Sequence, residues 1–252
     1  MINFVGAGPG AADLITVRGA ELLKNADVII YAGSLVNPGL LKYAKKDCKI
    51  YKSAQMTLEE VVSVMLDAEE RGLSTVRLHT GDPAIYGAIR EQEDILEEHN
   101  IKYDVCPGVS SMFGAAAALR AEFTLPDVSQ SVIVTRMAGR TPVPESESIE
   151  SFAAHNATMV IFLSAGMTEE LSKRLIKGGY APETPAAIVY KATWEDERVL
   201  KTTVADLHKT AAENGITKTA LILVGGFLGD KYDRSRLYDP HFSHGFREGK
   251  RD

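Results

Sequence analysis

A carboxylate in a tight turn is the first feature of this 252-residue chain that could do chemistry. The turn Gly81-Asp82-Pro83 lies between a β-branched, apolar run at 74–78 and an apolar pattern of helical spacing at 84–98. Gly81 tolerates unusual dihedral angles, and Pro83 suits a first helical turn. The pattern predicts a strand, a turn and a helix, with Asp82 at the carboxyl end of the strand, where open α/β sheets bind ligands. The alternative is that Asp82 only caps its turn.

A glycine-rich loop is the second candidate. The sequence GAGPGA at 6–11 directly follows an apolar run at 2–5, and its spacing matches the fingerprint of dinucleotide-binding folds. In those folds a helix begins on the glycines and its N-terminus meets the pyrophosphate. Here the helix is predicted to begin only at Thr16, an N-cap residue. The next strand, at 27–31, ends in AGS at 32–34, without an acid for a ribose hydroxyl. This context disfavours a dinucleotide.

Alternating strand and helix signals position these loops. A short strand is predicted at 49–51, and Thr57 with Glu60 forms a capping box that begins an amphipathic helix. A further strand at 103–106 precedes a helix of small residues at 114–118, which a backbone or a ligand can approach closely. Five strand-helix units therefore fill the first half of the chain.

Two serines stand in the turn PGVSS at 107–111, between the last strand and the helix of small residues. The hydroxyl groups of Ser110 and Ser111 could bind a ligand at the end of the strand. Taken by themselves, they are more simply interpreted as helix caps. The turn alone does not separate these two interpretations.

The alternation of strand and helix patterns stops near 122–127, where we place a domain boundary. The predicted domains are an N-terminal α/β domain at 1–121, a C-terminal α/β domain at 122–230 and a tail at 231–252. In the second domain the patterns predict strands at 132–135, 158–163, 185–190, 197–202 and 221–224, and helices at 169–177 and 205–213.

A basic loop follows the first strand of the predicted second domain. It runs from 136 to 145, contains glycine and proline, and carries Arg136 and Arg140. Long loops at the carboxyl end of a strand carry ligands more often than they pack the core. The two arginines are therefore candidate ligand-binding residues.

Composition excludes several classes of function. The formal net charge of −6 disfavours nonspecific binding of nucleic acid. Cys48 and Cys106 form no CxxC pattern, which argues against a zinc site and fits a reducing compartment. His241 and His244 lie in a tail without helical period or an evident third ligand, so we predict no protein-bound metal. No apolar run reaches the length of a membrane span, and no signal peptide is visible, so we expect a cytoplasmic protein.

The motifs taken together resemble the tetrapyrrole methylases. Those that carry the resemblance are VGAGPG at 5–10, DLIT at 13–16, GDP with YG at 81–87, PGVSS at 107–111 and AIVYKAT at 187–193. Within this family, RTPVPE at 140–145 and SHGFR at 243–247 look like the precorrin-4 C11-methyltransferases of cobalamin synthesis. The resemblance covers nearly the whole chain.

This resemblance implies two α/β domains with a cofactor cleft between them, S-adenosylmethionine as the cofactor, and usually a homodimer. It also implies that the glycine loop at 6–11 faces the substrate rather than a phosphate. By position, the cofactor contacts of the family fall on Pro9, Thr80, Gly81, Asp82, Ile85, Tyr86, Ser110, Ser111, Leu163, Ala192 and Ala220. Small residues such as Ala192 allow the backbone to reach the adenosine, and Leu163 can line an apolar adenine pocket. Asp82 either holds the cationic end of the cofactor or only fixes its loop.

The implied reaction is transfer of a methyl group to C11 of precorrin-4, with or without cobalt. Because the sulfonium is already activated, the protein mainly aligns the reacting atoms and excludes water. The substrate bears many carboxylates, so we expect Arg136 and Arg140 to bind it. Some relatives carry an acid just after the second strand, where this chain has AGS at 32–34, so no catalytic residue is assigned.

Three alternatives stay open. The chain could methylate another precorrin or uroporphyrinogen. It could be a flavin or nicotinamide oxidoreductase, which the missing ribose acid disfavours and which a yellow colour on purification would favour. It could be a non-catalytic nucleotide-binding module, which would bind S-adenosylhomocysteine without turning over any tetrapyrrole.

Overall fold

The first half of the chain forms a sheet in which every strand runs parallel to its neighbours. The computed structural model describes residues 1–33 and 35–250. The strands are β1 (Ile2–Gly6), β2 (Val28–Tyr31), β3 (Lys49–Lys52), β4 (Thr75–His79) and β5 (Tyr103–Cys106). Their order in the sheet is β3-β2-β4-β1-β5. Strand β1 thus lies between β4 and β5, so the loops that follow these three strands emerge side by side.

Parallel strands require crossover connections, and helices supply most of them. They are α1 (Val17–Asn25), α2 (Leu58–Glu70) and α3 (Arg90–Glu98), and a further helix, α4 (Ser111–Leu119), follows β5. The connection from β2 to β3 differs from the prediction, because it contains a 3-10 helix (Pro38–Tyr43) in place of an α-helix. The capping residues behave as predicted. Thr16 accepts a hydrogen bond from the Gly19 amide, and Thr57 and Glu60 form both bonds of the capping box.

Apolar side chains cover both faces of the parallel sheet. One face packs β1, β2 and β4 against α1 and the 3-10 helix, through residues that include Val5, Leu23, Ile29, Leu40, Val76 and Leu78. The other face packs against α2 and α3, through residues that include Ile2, Phe4, Ile30, Val61, Met65 and Leu96. Burial on both faces is typical of parallel sheets flanked by helices.

The helix after β4 begins later than its apolar pattern predicts. It was expected from position 84, but α3 starts at Arg90. Tyr86 and Ala88 have φ angles of 55° and 49°, in the left-handed region. A right-handed helix cannot pass through residues in that region, so the segment before Arg90 is a turn. The apolar spacing did not reveal this, because spacing carries no information about the sign of φ.

The second half of the chain builds a mixed sheet. Its strands are β6 (Val132–Arg136), β7 (Thr158–Phe162), β8 (Pro185–Tyr190), β9 (Arg198–Thr203) and β10 (Ala220–Val224), in the order β6-β7-β10-β8-β9. Only β6 and β7 pair in parallel, and the other pairs are antiparallel. The helices are α5 (Ile149–Ala153), α6 (Thr168–Gly178) and α7 (Leu207–Glu213). Gly179, with a φ of 126°, ends α6 as predicted.

The core of this second sheet is formed by apolar residues of its strands and helices. They include Met159, Ile161, Leu171, Leu175, Ile188, Leu207 and Ile222, all of them fully buried. From Lys231 to Lys250 the chain is irregular except for the 3-10 helix Arg236–Tyr238. Arg247 organises this segment by donating to the carbonyl groups of Leu237, Asp239 and Phe242.

The chain forms two compact units. The first comprises residues 1–115 and 191–197, and the second comprises 116–190 and the described chain from 198 onward. The short segment between β8 and β9 therefore belongs with the parallel sheet. The domain limits predicted at 121/122 and 230/231 stay predictions. Within the described residues, no helix is long and apolar enough to cross a membrane.

Candidate functional site

Backbone hydrogen bonds join the loops that follow β1 and β4. Gly8 and Gly81 exchange both of their bonds, from Gly8 N to Gly81 O at 3.2 Å and from Gly81 N to Gly8 O at 3.0 Å. The amide of Ala7 donates to the carbonyl of His79 at 2.7 Å. The glycine loop thus uses the Gly8 amide to hold a neighbouring loop. That amide is not aimed at a phosphate, which fits the prediction that this loop binds no dinucleotide.

Close backbone contact extends to the loop after β5. A Cβ atom placed on Gly108 would lie 2.2 Å from the carbonyl oxygen of Gly81, and one on Gly6 would lie 2.5 Å from the Gly108 Cα. Real Cβ atoms do not come this close to other atoms, so glycine is required at both positions. The three loops therefore meet through their backbones at the carboxyl edge of the sheet.

Asp82 connects two of these loops through its carboxylate. Its Oδ1 accepts a hydrogen bond from the amide of Ala84, and its Oδ2 accepts one from the amide of Gly108, each at 2.8 Å. Bonds from amides to a charged carboxylate are stronger than those between neutral groups. These two bonds fix the loop of Asp82 and join it to the loop after β5.

The two serines begin α4 beside Gly81. Ser110 is buried, and its hydroxyl accepts from the amide of Met112 at 3.4 Å. The Ser110 Cα and the Ser111 amide both lie 3.5 Å from the position of a Cβ on Gly81. The capping interpretation thus accounts for one contact of Ser110, and the topology places both serines at the same edge as Asp82.

The segment 191–197 packs against the glycine loop and the start of α4. A Cβ on Gly114 would lie 2.9 Å from Pro9 Cβ and 3.4 Å from Ala192 Cβ, so these two residues approach each other around Gly114. The amide of Ala11 donates to the Thr193 hydroxyl at 3.0 Å. Ala192 is 5% exposed. The structure therefore brings Pro9 and Ala192, far apart in the sequence, to one place.

Unfavourable dihedral angles mark this segment. Lys191 and Thr193 have φ angles of 47° and 68°. The carboxylate of Glu197 accepts from the Thr193 amide at 2.6 Å and so holds the turn closed. Backbone strain in residues other than glycine is concentrated at ligand-binding sites and persists only where the surroundings hold it. Sequence reasoning named Ala192 and missed Thr193, although Thr193 is part of the motif that drew attention to this segment.

The other predicted contacts of the first unit line the turn after β4. Thr80 and Ile85 are half-buried, whereas Tyr86 is exposed and has a φ in the left-handed region. Together with Pro9, Gly81, Asp82, Ser110, Ser111 and Ala192, they belong to the loops at the carboxyl edge of the parallel sheet. This is the edge at which open α/β sheets bind ligands.

Leu163 and Ala220 belong to the second unit. Leu163 follows β7, has a φ of 53° and is 65% exposed, which is unusual for a large apolar residue. The antiparallel register pairs Ile222 with Ile161. Ala220, at the start of β10, and Leu163, just after the end of β7, therefore lie at the same edge of the sheet. The next residue, Ser164, is fully buried and accepts a hydrogen bond from the amide of Met137. Ser164 thereby joins the ends of β6 and β7, a role that the sequence did not indicate.

The two arginines after β6 have different surroundings. The guanidinium of Arg136 donates to the carbonyl oxygens of Met137, Thr141 and Pro142, at 3.2, 3.2 and 2.8 Å. Arg140 is exposed, and within the described residues its guanidinium has no protein partner. Arg136 thus folds the loop, whereas Arg140 is available to a ligand.

Two titratable residues are buried beneath the carboxyl edge of the parallel sheet, which we call the first edge. Arg77 and His79, on β4, are 7% and 3% exposed. Burial lowers the pKa of Arg77 to about 10. Burial, with a smaller contribution from Arg77, lowers the pKa of His79 to about 3. At neutral pH, Arg77 is therefore charged and His79 is neutral.

Two further expectations concern a metal site and the tripeptide at 32–34. Among the described residues, no group of three or more His, Cys, Asp or Glu side chains could hold a metal ion. Ser34, the last residue of the AGS tripeptide, lies outside the described residues, as do residues 251 and 252.

Comparison with known proteins agrees with this geometry. The profile of the Tetrapyrrole (Corrin/Porphyrin) Methylases matches residues 1–208. The cobalt-precorrin-4 C(11)-methyltransferase of Methanocaldococcus jannaschii is 52% identical over 248 residues, which cover 98% of this chain and 96% of that protein. The crystal structure of a cobalt-precorrin-4 methyltransferase superimposes with a TM-score of 0.89 at 48% identity, covering 91% of this chain and 96% of that chain.

A more distant structure bears on the cofactor. Uroporphyrin-III C-methyltransferase of Thermus thermophilus, in complex with S-adenosylhomocysteine, has a TM-score of 0.76 at 26% identity. The similarity covers 90% of this chain and 98% of that chain. The motifs, the parallel sheet with its joined loops and these similarities agree with one another, and the chain belongs to the tetrapyrrole methylases.

Proposed function

We propose that this chain transfers a methyl group from S-adenosylmethionine to C11 of precorrin-4 or of its cobalt complex. The observation that carries the proposal is the 52% identity to a C11-methyltransferase over nearly the full length of both chains. The joined loops at the carboxyl edge of the parallel sheet support it, because they form a preorganised backbone surface of the kind that small-molecule sites use.

The residues present fit such a cofactor. The buried Ala192, the hydroxyl of Ser110 and the exposed Leu163 offer, respectively, close approach, a hydrogen-bonding group and an apolar surface. We assign the cofactor to the predicted set Pro9, Thr80, Gly81, Asp82, Ile85, Tyr86, Ser110, Ser111, Leu163, Ala192 and Ala220. In this set Asp82 holds the turn in shape, since its two carboxylate oxygens accept from the amides of Ala84 and Gly108.

The bound cofactor supplies a methyl group that its sulfonium charge has already activated. The residues of this chain therefore have to orient the donor and acceptor carbons and exclude water, and no strong nucleophile of the protein is required. Backbone groups held by Gly8, Gly81 and Asp82 are fixed before any ligand arrives, so little reorganisation accompanies binding. We assign Arg140, which is exposed, to a carboxylate of the substrate, and Arg136 to holding the loop that carries Arg140.

The assembly and the location are proposed from the family resemblance. We propose a homodimer, which light scattering after gel filtration would test by giving about twice the chain mass. We also propose a cytoplasmic location. The two cysteines are unpaired, which fits a reducing compartment. The domain limits at 121/122 and 230/231 belong to the same proposal, and limited proteolysis would test them.

Transfer of a labelled methyl group provides the test, with mass spectrometry to detect the transfer and carbon NMR to find its position. Precorrin-4 and its cobalt complex are each incubated with S-adenosylmethionine carrying a ¹³C methyl, and carbon NMR locates the label. Label at C11 of either compound is the expected result, and the faster of the two identifies the physiological form. Label at another ring carbon, or transfer only to uroporphyrinogen, would replace this proposal with a different position specificity. Tight binding of NAD or FAD in calorimetry, without binding of S-adenosylhomocysteine, would replace the cofactor.

A further inference from the structure

Arg77 is a charged residue in the centre of the parallel sheet. It pairs in register with Phe4 on one neighbouring strand and with Ile30 on the other, and it is 7% exposed. Within residues 1–33 and 35–250 it forms no salt bridge, and the partners of its guanidinium are the carbonyl of Ile30 at 3.2 Å and the side chain of Gln92 at 3.1 Å. A buried charge without a carboxylate is unfavourable for folding. Its presence here therefore calls for a role that an apolar residue could not fill.

Gln92 connects Arg77 to the backbone before α3. It is 4% exposed; its Oε1 accepts from Arg77 Nε, and its Nε2 donates to the carbonyl of Ala88 at 2.8 Å. The orientation of the amide is settled by its partners, since a guanidinium has only donors and a carbonyl only accepts. The main-chain amide of Gln92 bonds to Ile89, so the carbonyl of Ala88 is held by the side chain.

The segment 86–88 needs such an anchor. Tyr86 and Ala88 adopt left-handed dihedral angles that residues other than glycine avoid, and a Cβ on Gly87 would lie 2.1 Å from the carbonyl oxygen of Pro83. At the start of this turn, Asp82 holds the backbone through Ala84 and Gly108. At its end, Gln92 holds it through Ala88. The turn is thus fixed at both ends by side chains.

We propose that Arg77 and Gln92 are positioning residues, in which Arg77 orients the amide of Gln92 and Gln92 holds the turn that presents Ile85 and Tyr86 to the cofactor. The proposal rests on the proposed function, because Ile85 and Tyr86 are assigned to the cofactor there. It adds two residues that touch neither the cofactor nor the substrate. A merely structural role would stabilise the sheet without changing cofactor affinity.

The substitution Gln92→Glu separates these two roles. The introduced carboxylate still accepts from Arg77, and as the negative partner of a buried cation it keeps the sheet intact. It cannot donate to the carbonyl of Ala88, so the turn loses its anchor. Gln130→Glu is the matched control, since it makes the same charge change at an exposed position of the second unit.

Three measurements are made on each full-length protein: the melting temperature, the affinity for S-adenosylhomocysteine by calorimetry, and hydrogen exchange of residues 84–89. For Gln92→Glu we expect an affinity about fivefold weaker or more, on the scale of one lost hydrogen bond. We also expect faster exchange at 84–89, with unchanged exchange in β4 and little change in melting temperature. The control should match the wild type in all three.

A double variant, Arg77→Met with Gln92→Leu, tests the same role should Gln92→Glu fail to fold. It removes the buried charge and the amide together, a replacement that is often neutral or stabilising. It should nevertheless show the same loss of affinity and the same faster exchange. A fully folded variant of either kind that binds S-adenosylhomocysteine as the wild type does, whatever its exchange at 84–89, overturns the positioning role alone. Failure of the wild type to bind it would overturn the proposed function as well.

Discussion

The edge at which the parallel strands of the first sheet end and the edge at which β6 and β7 of the second sheet end are built differently. In the first unit, the loops after β1, β4 and β5 are joined by reciprocal backbone hydrogen bonds, by glycines without room for a side chain and by both oxygens of Asp82. In the second unit, the loop after β6 folds on itself through Arg136 and leaves Arg140 exposed. The first edge is rigid and backbone-rich, whereas the second presents a long, charged side chain.

This difference matches two kinds of recognition. A rigid backbone surface suits a small ligand whose shape does not change from one turnover to the next. The conformational entropy of that surface is lost during folding and not again when the ligand binds. An exposed arginine suits a larger, flexible polycarboxylate, which it can pair with in a bidentate geometry. We therefore propose that the cofactor binds mainly at the first edge and that the carboxylates of the substrate bind at the second.

The largest expected effect comes from breaking the joined loops at the first edge. Asp82→Ala removes two bonds from amides to a charged carboxylate, each worth roughly 1.5–3 kcal/mol. We expect urea unfolding to show a loss of about 3 kcal/mol and calorimetry to show no measurable binding of S-adenosylhomocysteine. Asp67→Ala, which removes one exposed salt bridge on α2, serves as the control and should cost less than about 1 kcal/mol. If Asp82→Ala is as stable as this control, the first edge is not held by the carboxylate.

The next effect concerns the space beside the glycine loop. Ala192 is buried beside Gly114 and is assigned to the cofactor, so the larger side chain of Ala192→Leu should occupy space that the cofactor needs. Overpacking of this kind costs about 1–3 kcal/mol. We expect the fold to survive and the affinity for S-adenosylhomocysteine to fall at least about tenfold. Ala181→Leu, at an exposed position, should change neither. Undiminished affinity would show that Ala192 does not line the site.

A third effect depends on pH and probes the interior beneath the first edge. Because the pKa of His79 is lowered to about 3 in the folded chain, the unfolded chain binds one more proton than the folded chain between about pH 6.5 and that value. Stability is therefore fully present above about pH 6.5 and falls as the pH is lowered, by about 2 kcal/mol at pH 5.

The variant His79→Phe has no such proton, so its unfolding free energy should fall less than that of the wild type between pH 7 and pH 5. Gln130→Phe, which places the same ring at an exposed and non-titratable position of the second unit, should leave the pH dependence unchanged. Denaturant unfolding at several pH values measures the difference. Parallel curves for wild type and His79→Phe would mean that His79 has the same pKa in the folded and the unfolded chain, which contradicts the lowered pKa.

The smallest effect sharpens the description of the second edge. Arg140→Ala should raise the KM for the tetrapyrrole about tenfold or more, because a charged pair worth about 1.5–3 kcal/mol is lost. The melting temperature and the affinity for S-adenosylhomocysteine should change little. Arg136→Ala should instead lower the melting temperature, since three carbonyl oxygens lose their donor. Weaker cofactor binding in Arg140→Ala, with an unchanged KM, would place the loop against the cofactor and contradict this assignment.

Local patterns predicted most of the elements of this fold. Alternating apolar strands and amphipathic helices predicted the strands of the first half, and Thr16 and Thr57 marked two helix starts that the structure confirms. These signals are local, because capping residues bond within a few positions of themselves. The late start of α3 escaped prediction, since it depends on the left-handed angles of Tyr86 and Ala88 and on the contact of Gly87 with Pro83.

The candidate site was predicted as a set of motifs, without the contacts that join them. The sequence left open whether Asp82 binds a ligand or fixes its turn, and the bond that fixes the turn, to Gly108 26 positions away, becomes visible only in three dimensions. Arg136 and Arg140 looked equivalent because they share a loop and a charge. Their difference arises from the path of the backbone, which turns three carbonyl groups toward one guanidinium and none toward the other.

By itself, the sequence determined the family, the α/β class and the residue types at each loop, because motifs, hydrophobic period and turn chemistry are properties of neighbouring residues. The tertiary structure alone decided which loops meet. The strand order places β1 between β4 and β5, and the segment 191–197 returns to the first unit. Only this arrangement brings Ala192 to Gly114 and sets Gln92 between Arg77 and Ala88. The physical reason is that such contacts depend on how strands pair and helices cross, which no local pattern encodes.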